Sequence, residues 1–293
     1  MTISRRAFVK RCLWSGAALA TGAAYPALIE PRRVRVSHVP VAVHGLPRAF
    51  DGLAIAHLTD LHRSRVVTGE YLADCIAQAN AVRPDLMVFT GDYITHTNHF
   101  GRVGELVNGG RDVVAEFARD CVRSMSAARA RYGVLASLGN HDHWYDAEFV
   151  TRLIRQAGIP VLRNESVGVR INGEVLPVVG LGDLWEEGVD VSRAFAGVDA
   201  PFALVLMHNP DFFERWPQPG AHLILAGHTH GGQVNIPLLG PPIVPSNFGA
   251  KYAQGLFQRG DTQMYVSRGV GMIYPPVRFN CPPEIVVCHL QSA

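Results

Sequence analysis

Buried strands that stop at polar residues constrain this chain more than any other feature of its sequence. Apolar runs end at positions 58, 90, 138, 207 and 226, and each is followed within two residues by aspartate, asparagine or histidine. Short apolar runs bounded by turn residues are typical of strands that are buried on both faces. Glycines beside several of these ends let the backbone come close to whatever the polar side chains hold. The pattern therefore predicts an α/β fold with a polar rim.

The polar residues at the strand ends form one chemical set. In open α/β sheets a ligand binds outside the carboxyl ends of the strands, so these side chains are expected to converge. Carboxylate, amide and imidazole ligands without thiolate suit Mn, Fe or Zn. One metal takes about four ligands, so a larger set indicates two metals. The seven candidates are Asp60, His62, Asp92, Asn140, His208, His228 and His230.

Periodicity elsewhere predicts the other elements of a single domain. Helices are expected over residues 69–81 and 112–131, and an edge strand over residues 32–43. Two strands, over 167–171 and 175–181, are expected to pair through Asn172-Gly173, a dipeptide that suits a hairpin turn. The sequence shows no internal repeat and no low-complexity linker.

The strand-end residues belong to five motifs: Asp60-x-His62, Gly91-Asp92, Gly139-Asn140-His141-Asp142, His208 and Gly227-His228-Thr229-His230. Their order and composition resemble those of the calcineurin-like metallophosphoesterases. Three later segments resemble the branch of that superfamily whose members are phosphodiesterases exported by the twin-arginine route: Gly231-Gly232-Gln233, residues 265–271 and residues 282–285. The resemblance implies a four-layer αββα fold, in which two mixed β-sheets pack as a sandwich flanked by helices.

The resemblance also implies a role for each matching residue. One divalent metal would be held by Asp60, His62 and His230. A second would be held by Asn140, His208 and His228, and Asp92 would bridge the two. His141 would be a catalytic histidine that binds no metal and that donates to the leaving-group oxygen or stabilises charge on the phosphoryl group. Asp142 would orient the His141 imidazole, as carboxylates next to a site commonly do.

The expected reaction is hydrolysis of a phosphodiester or pyrophosphate bond. Two metals clamp the attacking and leaving oxygens, and a metal-activated hydroxide attacks phosphorus without a covalent enzyme intermediate. One alternative is a pyrophosphatase of the UDP-2,3-diacylglucosamine type in lipid A synthesis, which relatives in this branch resemble. Export argues against that alternative, because such nucleotide-sugar lipids are made on the cytoplasmic face, and an uncleaved, inward-facing anchor would restore it. The other alternative is a metal-binding protein without catalysis, although such a site would not need His141 or Asp142.

The N-terminus resembles an export signal. Residues 4–10, with the pair Arg5-Arg6, resemble the twin-arginine motif, and residues 12–28 form an apolar, alanine-rich run. A transmembrane anchor is the competing interpretation, but the run is interrupted by Gly16, Gly22 and Pro26 and its uncharged length of about 18 residues is short for a span. We expect a signal peptide or anchor over residues 1–30 and a metallophosphoesterase domain over residues 31–293. Export by the twin-arginine translocase would deliver the protein to the periplasm or cell envelope, where it could meet a membrane surface.

Charge and cysteine usage exclude other classes. The net charge is +2, and the first 24 residues carry four basic residues and no acid, so the remainder is slightly acidic and nucleic-acid binding is not expected. The cysteines outside the N-terminal run are Cys75, Cys121, Cys281 and Cys288. They show no C-x-x-C spacing, which argues against a zinc finger, and are expected to be buried small side chains without disulfides.

Several other residues have competing interpretations. We expect packed side chains at His57, His222 and His289, and solvated ones at His38 and His44. The roles of His96, His99 and His143 stay open, because a residue of a polar loop can reach a pocket mouth. Asp183 and Trp185 end a predicted strand, and a turn is favoured there over a place on the rim.

Overall fold

The computed structural model of the chain describes residues 24–96, 109–217 and 219–293. The twin-arginine motif, most of the apolar run behind it, Cys12 and His99 lie outside the described residues. Within the described ranges the chain forms two mixed sheets. In that part no helix is both long enough and apolar enough to cross a membrane.

The first sheet is built mainly from the N-terminal half of the chain. Its strands are β1 (Arg35–Val43), β2 (Ala54–Leu58), β3 (Leu86–Thr90), β4 (Val134–Ser137) and β11 (Glu284–Ser292). They lie in the order β1-β11-β2-β3-β4, so the predicted edge strand is at an edge. Strands β2, β3 and β4 are parallel, and β11 is antiparallel to β2. The carboxyl ends of three neighbouring strands therefore meet at one rim.

The second sheet follows in the C-terminal half. Its strands are β5 (Glu165–Ile171), β6 (Glu174–Gly180), β7 (Leu204–Leu206), β8 (Leu223–Ala226), β9 (Gly255–Arg259) and β10 (Thr262–Val266). They lie in the order β5-β6-β7-β8-β10-β9, with parallel pairing from β6 to β10. The predicted hairpin is confirmed: β5 and β6 are antiparallel, and Asn172 and Gly173 join them at φ values of 49° and 90°.

In the part of the chain that the structure describes, four α-helices accompany the sheets: α1 (Gly69–Ala81), α2 (Arg111–Met125), α3 (Asn140–Gln156) and α4 (Val191–Ala194). Helix α1 has the predicted bounds and begins after Thr68, whose side chain accepts a hydrogen bond from the Tyr71 N–H. The prediction that α2 continues to residue 131 is wrong. The Arg129 N–H donates to Asn80 Oδ1 and the Arg131 N–H donates to the Pro84 carbonyl, so tertiary hydrogen bonds replace the next turn of helix.

Three buried clusters produce the predicted layers. Neighbouring residues of a strand face opposite sides of its sheet. In β8, Leu225 packs with Ile55 of β2 between the two sheets, whereas Ile224 faces outward onto Phe213 and α4. Phe89, on the outer face of the first sheet, packs with α1, α2 and α3. The predicted sandwich of two mixed sheets flanked by helices is confirmed.

Candidate metal centre

The seven predicted ligands come together at the carboxyl ends of the parallel strands. Two follow β2, one follows β3, one begins α3 directly after β4, one follows β7 and two follow β8. All seven side chains are buried. Buried carboxylates and imidazoles need close partners of their own, because an unpaired buried charge is costly.

The backbone at this rim is strained. Five of the seven predicted ligands have a positive φ: Asp60 at 53°, His62 at 46°, Asp92 at 55°, His228 at 71° and His230 at 53°. Glycine adopts that region freely and asparagine and aspartate tolerate it, but for other residues, here three histidines, each instance costs about 1–3 kcal/mol. The Asp60 N–H donates to the Gly91 carbonyl at 3.0 Å and the His62 N–H to the Asp92 carbonyl at 2.9 Å, so neighbouring loops hold one another in this conformation.

Two glycines permit the close approach of these loops. A Cβ on Gly91 would lie 2.2 Å from the backbone nitrogen of Gly139, and Gly91 has a φ of +90°. A Cβ on Gly227 would lie 2.4 Å from Asp60 Oδ2. Because they lack a Cβ, Gly91 lets its segment contact the backbone before Asn140, and Gly227 lets its segment contact the Asp60 side chain.

The side chains fall into groups whose ligand atoms lie within 4.8 Å of one another. One group contains Asp60, His62 and His230, and another contains Asp92, His208 and His228. In the first, His62 Nε2 lies 3.0 Å from His230 Nε2, which lies 3.5 Å from Asp60 Oδ1. In the second, His228 Nδ1 lies 3.3 Å from His208 Nε2. Two adjacent groups of this kind can hold a binuclear metal site.

Asp92 lies between the two groups, and its two oxygens have different partners. Oδ1 accepts the backbone N–H of His141 at 2.9 Å. Oδ2 lies 3.4 Å from His62 Nε2 and 3.2 Å from His208 Nε2. One oxygen of this carboxylate is therefore fixed by backbone, and the other faces imidazoles of both groups.

Several buried atoms here have the chemistry that a metal would satisfy. Among the described residues, Asn140 Oδ1 has no hydrogen-bond partner although it is buried. His208 Nδ1 lies 2.7 Å from the Thr90 carbonyl, which must accept its proton, so the neutral form of this imidazole has its lone pair on Nε2. A histidine ligand is commonly oriented in this way through its second ring nitrogen. The residues present fit divalent metals.

Protonation follows from burial and from the carboxylates. Burial lowers the pKa of His228 to about 3, so its imidazole is neutral, which is the metal-binding form. Burial also acts to lower the pKa of His208, but the carboxylates of Asp92, Asp60 and Asp183 outweigh it and raise that pKa to about 10. In the metal-free protein His208 is therefore an imidazolium paired with Asp92, and a metal must displace its proton.

His141 differs from the ligands in its tautomer. The backbone N–H of His96 donates to His141 Nδ1 at 3.2 Å, so the neutral ring carries its proton on Nε2. Nε2 lies 4.0 Å from Asp92 Oδ2, and burial lowers the pKa of His141 to about 3. Although His141 lies within reach of His62 and Asp92, it presents an N–H to the centre where a ligand would present a lone pair.

The expectation that Asp142 orients the His141 imidazole is wrong. Asp142 Oδ2 accepts the backbone N–H groups of Asp92 and Gly139, each at 2.9 Å, and Oδ1 accepts the Tyr93 N–H at 3.0 Å. Asp142 therefore ties the loop after β3 to the start of α3. The imidazole of His141 is oriented by the His96 backbone, in a loop whose role the sequence left open.

Two aromatic side chains border the centre. The Trp185 ring lies 4.4 Å from the His228 ring, and the Trp144 ring lies 4.5 Å from the His141 ring, both between centroids. The predicted turn is present, since Asp183 Oδ1 accepts the N–H groups of Trp185 and Glu186. Trp185 nevertheless lies on the rim, so the favoured interpretation, a turn, and the competing one, a place on the rim, both hold for this residue. Nothing in the sequence pattern singled out Trp144.

Arg278 also supports the centre and was missed by sequence reasoning. Its guanidinium is fully buried and donates to backbone carbonyls of the loop after β10, including that of Arg268 at 2.8 Å. A Cβ on Gly269 of that loop would lie 2.6 Å from Asp60 Cβ. Arg278 therefore fixes the loop that packs against the Asp60 segment. The glycines at 269 and 271 are the sequence signal that could have indicated a loop packed closely against the Asp60 segment.

The other histidines and the cysteines are placed as follows. His57 and His222 are buried, as predicted, and His57 Nε2 lies 2.7 Å from Thr90 Oγ1. The prediction for His289 is wrong: it is half-exposed because it lies near the end of β11, where its ring stacks on that of His38. His143 lies 3.7 Å from Glu187. The four described cysteines are buried and unpaired, as expected.

The fold and this centre define a metal-dependent phosphoric ester hydrolase. Residues 53–232 match the calcineurin-like phosphoesterase family, and the chain belongs to that family. It is 32% identical to the metallophosphoesterase YkuE of Bacillus subtilis (strain 168), over 99% of this chain and 98% of that protein. It is 33% identical to the phosphodiesterase YaeI of Escherichia coli (strain K12), over 80% of this chain and 81% of that protein. It is 26% identical to the UDP-2,3-diacylglucosamine pyrophosphatase LpxG of Chlamydia muridarum (strain MoPn / Nigg), over 83% of this chain and 85% of that protein.

Proposed function

We propose that this protein is a phosphodiesterase that hydrolyses phosphodiester or pyrophosphate bonds by direct attack of water on phosphorus. The observation that carries the proposal is the position of Asp92 Oδ2, 3.4 Å from His62 Nε2 and 3.2 Å from His208 Nε2. A bridging ligand of two cations requires such a place between two groups of ligands. The similarity to YaeI, which is named a phosphodiesterase, supports diester chemistry.

Each metal position has its own ligands in this proposal. Asp60, His62 and His230 would hold one cation, Asn140, His208 and His228 would hold the other, and Asp92 would be shared. When bound, Mn, Fe or Zn would lower the pKa of water and neutralise charge on the phosphoryl oxygens. Neutral Asn140 contributes an oxygen without adding negative charge where an anionic phosphate arrives.

His141 and Asp142 have separate tasks. The Nε2–H of His141 points to the centre and donates to the leaving-group oxygen or to a phosphoryl oxygen. The His96 backbone N–H holds that proton in place through Nδ1. Asp142 is a positioning residue, because it fixes the backbone N–H groups of Asp92 and Tyr93 that set the loop geometry.

Two alternatives make different predictions for substrate. A pyrophosphatase acting on UDP-2,3-diacylglucosamine is favoured by the similarity to LpxG, which extends over most of both chains. A metal-binding protein without catalysis would not need the Nε2–H of His141 aimed into the centre. Turnover on a panel of substrates separates all three.

The test is a substrate panel on metal-reconstituted protein. The panel contains diesters such as bis-p-nitrophenyl phosphate, monoesters, nucleotide-sugar pyrophosphates and cell-wall phosphodiesters. Metal-dependent turnover that is fastest on diesters supports the proposal. Preference for UDP-2,3-diacylglucosamine would instead support the pyrophosphatase alternative. A folded, metal-loaded protein without turnover on any substrate would support the alternative of a metal-binding protein without catalysis.

Export is a separate part of the proposal. The motif over residues 4–10 supports passage through the twin-arginine translocase to the periplasm or cell envelope, with residues 1–30 as signal or anchor. A reporter fused to residues 1–35 is expected to be exported, and Arg5→Lys/Arg6→Lys is expected to abolish export. Equal export of both fusions would point to the general secretory route or to a plain anchor.

A further inference from the structure

A hairpin loop beside the metal centre exposes large apolar side chains. Residues 236–240 close on themselves, because the Ile236 N–H donates to the Gly240 carbonyl at 3.0 Å and the Gly240 N–H returns to Ile236 at 2.8 Å. Leu238 at the tip is fully exposed, and Leu239 and Ile243 are 82% and 78% exposed. Single exposed apolar residues are ordinary, whereas a cluster of them marks an interaction surface.

Leu238 is unfavourable in two ways in the isolated chain. Its φ is 71°, in the left-handed region, and its side chain is in water. A leucine gains no local hydrogen bond there, unlike asparagine or aspartate, and glycine would relieve the strain. Neither backbone conformation nor burial therefore accounts for a leucine at this position.

The exposed residues continue onto two neighbouring segments. The Phe279 N–H donates to the Gln233 carbonyl at 2.9 Å, and the Arg278 N–H donates to the Pro26 carbonyl at 2.8 Å. These bonds join the loop after β8, the segment before β11 and the N-terminal segment. The large exposed apolar side chains on these three joined segments are Leu28, Ile29, Leu238, Leu239, Ile243 and Tyr274, and we call this set the apolar face.

The residues that follow the hairpin contact two segments that carry predicted metal ligands. A Cβ on Gly232, two residues after His230, would lie 2.8 Å from the Ile243 carbonyl oxygen. Downstream, the Asn247 N–H donates at 2.7 Å to Asp211, three residues after His208. The hairpin part of the apolar face therefore adjoins segments that carry predicted ligands of both metals.

Charge and the N-terminal segment indicate what covers this face. Residues 231–283 contain one acidic residue, Asp261, which lies at the β9–β10 turn. An apolar cleft of about 440 Å³ lies between the N-terminal segment and the loop before α1, and the exposed Arg32 and Arg65 line it. The described chain enters this face directly from the apolar run over residues 12–28. Apolar side chains with basic neighbours and few acids match an anionic lipid surface.

We propose that the apolar face docks on an anionic phospholipid bilayer, with Leu238 and Leu239 inserted at the level of the headgroups and the metal centre presented to the bilayer surface. Delivery of a membrane-held phosphoester to that centre rests on the proposed function. Docking itself does not, so the two can fail separately.

The test is amide hydrogen exchange of the full chain, with and without vesicles of phosphatidylglycerol and phosphatidylcholine. Exchange at the Leu238 and Ile243 amides is expected to slow at least tenfold on these vesicles, while exchange at the β5–β6 hairpin is unchanged. Unchanged exchange at these two amides in the presence of vesicles overturns the proposal. Slow exchange at these two amides without vesicles also overturns it, and indicates a second copy if it depends on protein concentration or the N-terminal segment if it does not.

A pair of matched double variants sharpens the test. Leu238→Glu/Leu239→Glu is expected to remove the vesicle-induced slowing at Ile243 and Tyr274, whereas Val167→Glu/Val175→Glu is expected to keep it. Val167 and Val175 are 36% and 48% exposed on β5 and β6, at the opposite edge of the second sheet from β9. Both variants should hydrolyse a soluble diester at the unaltered rate, which controls for folding. If Leu238→Glu/Leu239→Glu does not hydrolyse the soluble diester at the unaltered rate, the single variant Leu239→Glu is used in its place. Vesicle-induced slowing that persists in the variant used contradicts the docking surface.

Discussion

The metal-centre rim and the β5–β6 turn use the same left-handed backbone with different residue types. At the turn, a positive φ falls on Asn172 and Gly173, which adopt it at little cost. At the rim it falls on two aspartates and three histidines, and on Gly91, whose φ of +90° equals that of Gly173. Around Gly173 a Cβ would meet nothing within 4 Å, whereas at Gly91 it would meet backbone at 2.2 Å. The turn is local geometry, but the rim is held by contacts between distant segments.

The largest effect is expected at the centre of the rim. Asp92→Asn should cost at least one metal, and turnover should fall by more than the ~10²–10³ typical of losing one stabilising group, because the shared anionic ligand is removed. Metal content by elemental analysis and diester turnover are the measurements. Asp85→Asn, at the amino end of β3, is the matched control and should keep both metals. Two metals and normal turnover in Asp92→Asn would exclude Asp92 as the bridge.

His141→Ala tests whether an N–H at the rim does chemistry without holding metal. Both metals should remain, and turnover should fall by about 10²–10⁴, as for other positioned acid–base groups. The loss should be larger for an alkyl diester than for a nitrophenyl diester, since an alkoxide needs a proton more than nitrophenolate does. Elemental analysis and kcat on both substrates check this.

The control for that experiment is His222→Ala, a buried histidine bonded to the Pro219 carbonyl. It should leave kcat unchanged on both substrates. An equal loss on both diesters in His141→Ala would make His141 an electrostatic stabiliser of the phosphoryl oxygens. A loss of metal would instead mean that the ligand assignment at Asn140 is wrong.

Gly91 and Gly173 have the same φ, so alanine substitutions at the two positions distinguish the cost of backbone strain from the cost of a steric clash. Gly173→Ala should lower the free energy of unfolding by about 1 kcal/mol, the cost of a left-handed L-residue. Gly91→Ala should lower it by at least about 3 kcal/mol, because a clash with the Gly139 backbone is added to a similar strain. Urea unfolding of both proteins in chelator measures the difference. Equal losses would show that the rim yields as easily as the turn.

The smallest effect is expected at Asn172. Asn172→Gly keeps the backbone conformation but removes hydrogen bonds to the Ala49 carbonyl and the Tyr132 hydroxyl. We expect a loss of about 1 kcal/mol of unfolding free energy and no change in turnover, because the turn lies far from the metal-centre rim. Altered diester kinetics in this variant would mean that the turn and the rim are coupled.

Much of the site could be predicted from the sequence, because its residues are at the ends of apolar strands. The strand periodicity and the positions of Gly91 and Gly227 are local properties of the chain. The sequence could not predict the end of α2, where the Arg129 N–H bonds to Asn80 from another segment. It also placed His289 in the core, because an apolar strand pattern does not show where the sheet stops covering it.

By itself the sequence determined which side chains reach the rim. The candidate ligands follow the strand ends within a few residues, as in Asp60-x-His62 after β2, so the covalent chain itself fixes their type and position. The tertiary structure alone decided what each polar atom does. The His96 N–H places the proton of His141 on Nε2, and the carboxylate of Asp142 binds backbone where the sequence predicted an imidazole. Hydrogen bonds are directional and span tens of residues here, so no local pattern can encode which partner an oxygen or a ring nitrogen finds.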